Sequence, residues 1–110
     1  MTLGPSALRI MSAATAHFAE HGYSGSSLTR IAEAAGMRKA SLYAHFRSKD
    51  ELFLVCFHGA INEEQQCAVA LLDEGIGRST PGERYCRSFV RRYSTSRPLQ
   101  FMLRTAYMPP

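Results

Sequence analysis

Residues 26–52 of this 110-residue chain read SSLTRIAEAAGMRKASLYAHFRSKDEL. Four apolar residues in the first part have the i, i+3, i+4, i+7 spacing of one helix face: Leu28, Ile31, Ala32 and Ala35. Gly36 is expected to end this helix, because glycine readily adopts the left-handed conformation that closes helices. After a short turn, a second helix is predicted at roughly 39–45. Two short helices around a glycine turn are typical of a helix-turn-helix motif.

The predicted second helix has small side chains on its outward face. Leu42 and Phe46 are the residues expected on its buried side. The outward positions are Ala40, Ser41, Tyr43 and Ala44. Long charged side chains would be usual on a solvated helix, whereas small ones let a helix approach base edges in the major groove. The pattern therefore favours a DNA-recognition helix.

Basic residues lie on both sides of this helix, at Arg38, Lys39, Arg47 and Lys49. Residues 1–50 hold six basic and three acidic side chains, a net charge of +3, whereas residues 51–110 hold seven and six, a net charge of +1. The basic excess therefore lies with the helix-turn-helix segment, where it suits the phosphate groups of a nucleic acid.

The segment IAEAAGMRKASLYAHFRSKDEL resembles the DNA-binding signature of the TetR family of bacterial transcriptional regulators. The alanine-glycine turn, the LYxHF ending and the SKxEL start of the next helix occur in one register, and the resemblance covers about residues 10–53. It implies an all-α fold with a three-helix helix-turn-helix DNA-binding domain at residues 1–47. A long connecting helix and a partial helical bundle would follow, forming part of an effector and dimerisation domain at residues 48–110.

The resemblance also implies which residues contact DNA. Four correspond to phosphate contacts: Ser27, Tyr43, His45 and Lys49. Four more hold positions that usually meet base edges: Lys39, Ala40, Ser41 and Ala44. Arg38 departs from the family, which more often has a serine there to cap the recognition helix. We include Arg38 among the base-edge candidates, and the alternative is an arginine that remains solvated.

A helix before the motif is predicted from about Pro5 or Ser6 to His21. Its apolar face consists of residues four apart: Ile10, Ala14 and Phe18. Gly22 is expected to end this helix, and Tyr23 to supply the apolar contact that often accompanies a glycine stop. In a three-helix DNA-binding unit, this helix supports the two helices of the motif.

The helix after the motif is predicted to begin at a capping box formed by Ser48 and Glu51. It would run for roughly 25 residues and extend about 37 Å, beyond the DNA-binding domain. Two glycines are expected to end it: Gly75 and Gly77. Another helix is predicted after a cap at Thr80, and a break at residues 97–98 precedes a short apolar piece, LQFMLRTAYM.

The function that the resemblance implies is that of a transcriptional repressor. Such a protein binds a palindromic double-stranded DNA operator as a homodimer and leaves it when a small ligand binds. Four side chains are candidates for the ligand pocket, with ordinary core packing as the alternative: Phe57, Phe89, Phe101 and Met102. The family usually has about twice this length, so part of the effector domain is expected to be absent, and pairing of this chain stays open. Four apolar side chains would then lack partners: Phe89, Phe101, Leu103 and Tyr107.

Two other functions compete with DNA-dependent repression. His17, Glu20 and His21 fit the HxxEH pattern of inverted zinc metallopeptidases, with both histidines on one helix face. Since a third ligand and a substrate cleft are not apparent, we predict no enzyme activity, no metal and no cofactor. The other alternative is a helical protein-interaction module without DNA binding, which would show no salt-dependent affinity for duplex DNA.

Composition also bears on where the protein acts. No stretch approaches the roughly 18 uninterrupted apolar residues of a membrane span, and the start MTLGPSALRI lacks the pattern of a secretory signal. The three cysteines show no CxxC spacing, which disfavours a disulfide framework. We therefore expect a cytoplasmic protein that does not contact membranes.

Overall fold

The computed structural model describes residues 4–73 and 81–110, and every secondary-structure element in these two ranges is an α-helix. In chain order the helices are α1 Pro5–His21, α2 Leu28–Ala34, α3 Lys39–Tyr43, α4 Lys49–Asp73, α5 Pro81–Tyr93 and α6 Arg97–Tyr107. The predicted all-α fold, with a helix-turn-helix unit, a long connecting helix and further bundle helices, is confirmed. The predicted helix end at Gly75 and Gly77 and the predicted cap at Thr80 lie outside the described residues. Within the two ranges, no helix combines the length and the apolar character needed to cross a bilayer.

One buried cluster joins α1, α2, α3, α4 and α6. At its centre, the ring centroids of Phe18 on α1 and Phe53 on α4 lie 5.1 Å apart. The Phe101 ring on α6 lies 5.5 Å from the Phe18 ring and 5.2 Å from the Phe53 ring. Aliphatic side chains extend the cluster toward the motif: Ile10, Ile31, Leu42 and Leu52. The core therefore continues across the domain boundary that the sequence predicts after residue 47.

Helix α6 was not predicted as a helix. The break at residues 97–98 is its first turn, and Ser96 is its N-cap, with Oγ accepting a hydrogen bond from the Leu99 amide at 3.2 Å. The expectation that Phe101 would lack partners was wrong, because aromatic residues of α1 and α4 surround it and leave it only 1% exposed. Tyr107, near the end of the same helix, is 84% exposed, as expected.

Two glycines with positive φ close α1 and α2. Gly22 has φ 75° and ψ 177°, a region of backbone conformation that is essentially restricted to glycine. Gly36 has φ 71°, and the amide of Met37 beyond it donates to the Ala32 carbonyl at 3.0 Å. This bond is typical of the Schellman closure of a helix. Both predicted glycine stops are confirmed.

A partly buried polar network fastens α5 to α4. The Arg92 guanidinium donates to both oxygens of the Glu64 carboxylate, at 2.7 and 3.1 Å, and the Tyr85 hydroxyl donates to the same carboxylate at 2.5 Å. The hydrogen bonds from Arg92 lower the pKa of Glu64. Burial, together with the nearby carboxylate, raises the pKa of Tyr85 to about 12. At neutral pH the network therefore holds an ionised carboxylate and a neutral phenol.

Gly22→Ala is expected to lower the free energy of unfolding by about 2–3 kcal/mol, because alanine disfavours the backbone conformation of this residue. A Cβ atom there would also lie 2.9 Å from Nε of Arg104 on α6. Gly36→Ala is the matched control, since its φ is also positive but a Cβ atom would meet nothing within 4 Å. We expect it to cost only about 1 kcal/mol. Thermal unfolding compares the two variants, and equal losses would contradict the larger cost expected at Gly22.

Glu64→Gln is expected to lower the free energy of unfolding by about 2 kcal/mol at pH 7, because Arg92 loses its carboxylate partner. Folding lowers the pKa of Glu64, so its contribution is present above the unfolded-state value and is lost as pH falls through the folded-state value. The difference in Tm between the native protein and the variant should therefore shrink between pH 7 and pH 3. Glu63→Gln, at an exposed neighbour, is the control. A Glu64→Gln difference that does not change with pH would refute this linkage.

Candidate nucleic-acid interface

The orientation of the recognition helix α3 is set by two side chains in the core. Leu42 is fully buried and Phe46 is nearly so, which fixes one side of the short helix against the rest of the domain. Helix α2 is fixed in the same way by Ile31. Ser27 caps the start of α2, since its Oγ accepts a hydrogen bond from the Arg30 amide at 3.2 Å. The opposite side of α3 therefore faces outward in a defined orientation.

The outward surface of α3 holds small and basic residues together with Tyr43. All five predicted base-edge residues are exposed: Arg38, Lys39, Ala40, Ser41 and Ala44. Three of the four phosphate candidates are exposed as well: Ser27, Tyr43 and His45. The Lys39 ammonium lies 5.7 Å from the centroid of the Tyr43 ring, so a positive charge and a phenol lie side by side. The contacts of these eight residues with DNA stay predictions, and their side chains are accessible to a ligand.

Helix α3 ends at Tyr43, two residues before its predicted end. The amide of His45 donates to the Leu42 carbonyl, three residues back, at 3.0 Å, which tightens the chain into a turn. The turn brings Phe46 into the core. The predicted length was wrong because the spacing of Leu42 and Phe46 suits a continuing helix and a closing turn equally well.

Arg38 occupies the N-cap of α3 and makes no side-chain capping hydrogen bond, as predicted from the missing serine. Its carbonyl accepts hydrogen bonds from the Ser41 and Leu42 amides at 3.0 and 3.2 Å. The first turn of α3 is therefore formed by backbone hydrogen bonds, without a side-chain cap. The guanidinium is left available either to DNA or to solvent, so both interpretations of Arg38 stay open.

A contact that the sequence reasoning missed closes the end of α2. Nε of Arg9 on α1 donates to the Ala35 carbonyl at 3.1 Å. A cation at this end also interacts favourably with the helix dipole. The two residues are 26 positions apart, and only the packing of α1 against α2 brings them together. No local pattern in the sequence indicates this contact, because it depends on how the two helices pack.

Lys49 differs from the other phosphate candidates, because its ammonium points into the protein. Nζ donates to the carbonyls of Tyr23 and Ser26 at 2.9 and 3.2 Å. It also lies 4.1 Å from the centroid of the Tyr23 ring. Two of its three N–H donors are therefore used within the molecule.

The four candidate ligand-pocket residues have different surroundings. Phe101 belongs to the core, the Phe57 ring lies 6.0 Å from it, and Met102 packs against the same cluster. Phe89 on α5 instead contacts Tyr85, with 6.2 Å between the ring centroids. Core packing accounts for Phe101 without a ligand, and a ligand-binding role for all four stays a prediction.

The histidines of the HxxEH segment lie next to each other on α1. The ring centroids of His17 and His21 are 5.3 Å apart, and the His21 ring lies 3.9 Å from a carboxylate oxygen of Glu20. Among residues 4–73 and 81–110, no group of three metal-ligating side chains includes this pair. Two imidazoles alone do not form the three-ligand site that a catalytic zinc needs.

Residues 10–56 match the family described as bacterial regulatory proteins, tetR family. This segment of the chain is therefore a TetR-family segment. The matched segment holds most of α1, the whole of α2 and α3 and the start of α4, which together form the motif and its core anchors. This family consists of transcriptional regulators, and its similarity to the chain does not support the zinc-hydrolase alternative.

Individual proteins that are similar to this chain are described as a repressor, a regulator and a receptor. The repressor AcnR of Corynebacterium efficiens is 42% identical over 45 residues, which are 41% of this chain and 24% of the relative. The fatty acid degradation regulator FadR of Bacillus halodurans has a TM-score of 0.80 at 20% identity, over 94% of this chain and 55% of that one. A gamma-butyrolactone receptor, described as ArpA-like, has a TM-score of 0.72 at 25% identity, over 94% and 54%. The chain thus spans about a quarter of this curated relative and just over half of these two structures.

Arg38→Ser is expected to raise the free energy of unfolding by about 1 kcal/mol, because a serine at the N-cap can accept a hydrogen bond from an amide in the first turn of α3. Arg38→Ala removes the same guanidinium without supplying an acceptor and should give no gain. Thermal unfolding measures both variants. Equal stability of the serine and alanine variants would contradict the interpretation of an unfilled cap.

Proposed function

We propose that the chain provides the DNA-binding part of a cytoplasmic transcriptional repressor, which inserts α3 into the major groove of an operator. The observation that carries this proposal is the exposed surface of small and basic residues on α3, opposite the buried Leu42 and Phe46. A helix anchored on one side, with the short side chains of Ala40, Ser41 and Ala44 on the other, can approach base edges closely.

Base recognition would come from the start and the middle of α3. Arg38 and Lys39 can each donate to the O6 and N7 atoms of guanine, and the Ser41 hydroxyl can donate to or accept from several bases. The methyl groups of Ala40 and Ala44 suit apolar contact with the methyl group of thymine. The short side chains also keep the helix backbone close to the floor of the groove.

Phosphate contacts would hold the domain in register along the duplex. The Ser27 oxygen accepts from the Arg30 amide, which leaves its hydroxyl proton available to a phosphate oxygen. The exposed Tyr43 hydroxyl and the His45 ring can donate in the same way. Lys49 is not among these donors, because two of its N–H groups are engaged within the protein.

The proposal extends to pairing and to release by a ligand. A homodimer would present two copies of α3 to successive major grooves, and its operator would be a palindrome with half-sites about one helical turn apart. One structural neighbour is named as a gamma-butyrolactone receptor, which supports a small-molecule effector for this chain as well. Side chains that could contribute to such a site are Phe57, Phe89, Phe101 and Met102.

Selection of bound sequences from a random duplex pool tests the proposal with the full chain. We expect a palindromic sequence to be enriched, and its affinity to fall steeply as salt rises, because bound phosphates release counterions. An interaction module without DNA binding would enrich nothing and show no salt dependence. That result would overturn the proposal.

Ser41→Glu is expected to weaken binding to the enriched duplex by at least about tenfold, because a carboxylate on the groove-facing surface repels the phosphates. Since Ser41 is exposed, the Tm should change little. Gln66→Glu is the matched control, because it adds the same charge at an exposed position of α4. Fluorescence anisotropy measures both, and an equal loss of affinity in the two variants would argue against recognition through α3.

A further inference from the structure

Lys49, the first residue of α4, holds the connection between α1 and α2. Its ammonium donates to the Tyr23 carbonyl at 2.9 Å and to the Ser26 carbonyl at 3.2 Å, across 26 and 23 positions of sequence. The Tyr23 ring lies against the same ammonium, at 4.1 Å from Nζ to the centroid. The aromatic face and the two carbonyls thus surround one cation.

The connection held in this way leads directly into the helix-turn-helix unit. Ser26 is buried, its hydroxyl donates to the Gly22 carbonyl at 2.7 Å, and its amide donates to the Tyr23 carbonyl at 3.2 Å. The next residue, Ser27, is the N-cap of α2. The hydrogen bonds of Ser26 define the conformation of the connection. The hydrogen bonds of Lys49 attach the connection to α4.

We propose that Lys49 is a positioning residue for DNA binding, which fastens the α1–α2 connection to α4 and so sets the place of Ser27 and α2. This inference rests on the proposed DNA-binding function, and it replaces the phosphate contact that the family resemblance implies for Lys49. Only one N–H donor of the ammonium is left for a phosphate, unless the side chain leaves the two carbonyls and the aromatic ring. Breaking these hydrogen bonds would cost free energy that a solvated lysine does not lose when it binds a phosphate.

The two roles make different predictions for the salt dependence of binding. A lysine that neutralises a phosphate contributes about 0.9 to the slope of log K against log salt, so its removal makes the slope shallower. A positioning lysine acts through geometry, so its removal weakens binding by a similar factor at every salt concentration. The fold-change and the slope together therefore separate the two roles.

Lys49→Met tests the proposal, because methionine keeps an unbranched apolar stem and removes the ammonium. With the full chain and its selected duplex, we expect Kd to rise about tenfold at each salt concentration without a change in slope. Lys39→Met, at the exposed start of α3, is the comparison and should make the slope shallower, because it removes an exposed positive charge beside the duplex. An unchanged Kd for Lys49→Met, or a slope that falls as it does for Lys39→Met, would overturn the proposal.

A second variant and a measurement on the DNA-free protein test the proposal even if Lys49→Met folds poorly. Lys49→Gln is neutral but keeps an amide donor, so we expect an affinity between those of the native protein and Lys49→Met. In the DNA-free protein, amide resonances of residues 23–27 should shift in Lys49→Met and shift less in Lys49→Gln. Resonances unchanged in both variants would refute the attachment. If the native chain binds no duplex, the DNA-binding function fails, while the resonances still test the attachment itself.

Discussion

The contact among the rings of Phe18, Phe53 and Phe101 joins three helices that are distant in sequence, with centroids 5.1 to 5.5 Å apart. Phe18 lies just before the end of α1, and Phe53 lies in the first turns of α4. Their contact therefore sets the separation between the α1–α2 connection and the start of α4, which Lys49 spans. Phe101 brings α6 into the same core, so the DNA-binding unit depends on a helix outside the segment that matches the family.

The motif needs this support because its helices are short. Helix α2 has seven residues and α3 has five, whereas isolated helices below about 12 residues are marginal in water. Burial of Ile31 and Leu42 stabilises these short helices against the core. Hydrogen bonds at both ends stabilise α2 further. The Ser27 side chain caps its start, and Arg9 donates to the Ala35 carbonyl at its end. The buried core thus holds the exposed side of α3 in a defined orientation.

Much of this organisation could be predicted because its signals are local. The bounds of α1, the glycine stops at Gly22 and Gly36 and the capping hydrogen bond from the Glu51 amide to Ser48 each depend on neighbouring residues. The Glu51 side chain departs slightly from the predicted capping box, since it accepts a hydrogen bond from the Arg47 amide at 3.4 Å. The end of α3 was predicted two residues too late, because periodicity alone does not separate a last helical turn from a tighter one.

The amino-acid sequence alone specified the helices of the motif, the small and basic character of the α3 surface and the family, because these follow from spacing and residue type along a continuous segment. Tertiary structure decided which charges remain available to DNA. Lys39 and Lys49 are equivalent in chemistry, yet one is exposed and the other binds two carbonyls. Tertiary structure also placed Arg9 at the end of α2 and Phe101 in the core. These contacts join residues 23 or more positions apart, and only the packed core brings such residues within hydrogen-bonding or van der Waals distance.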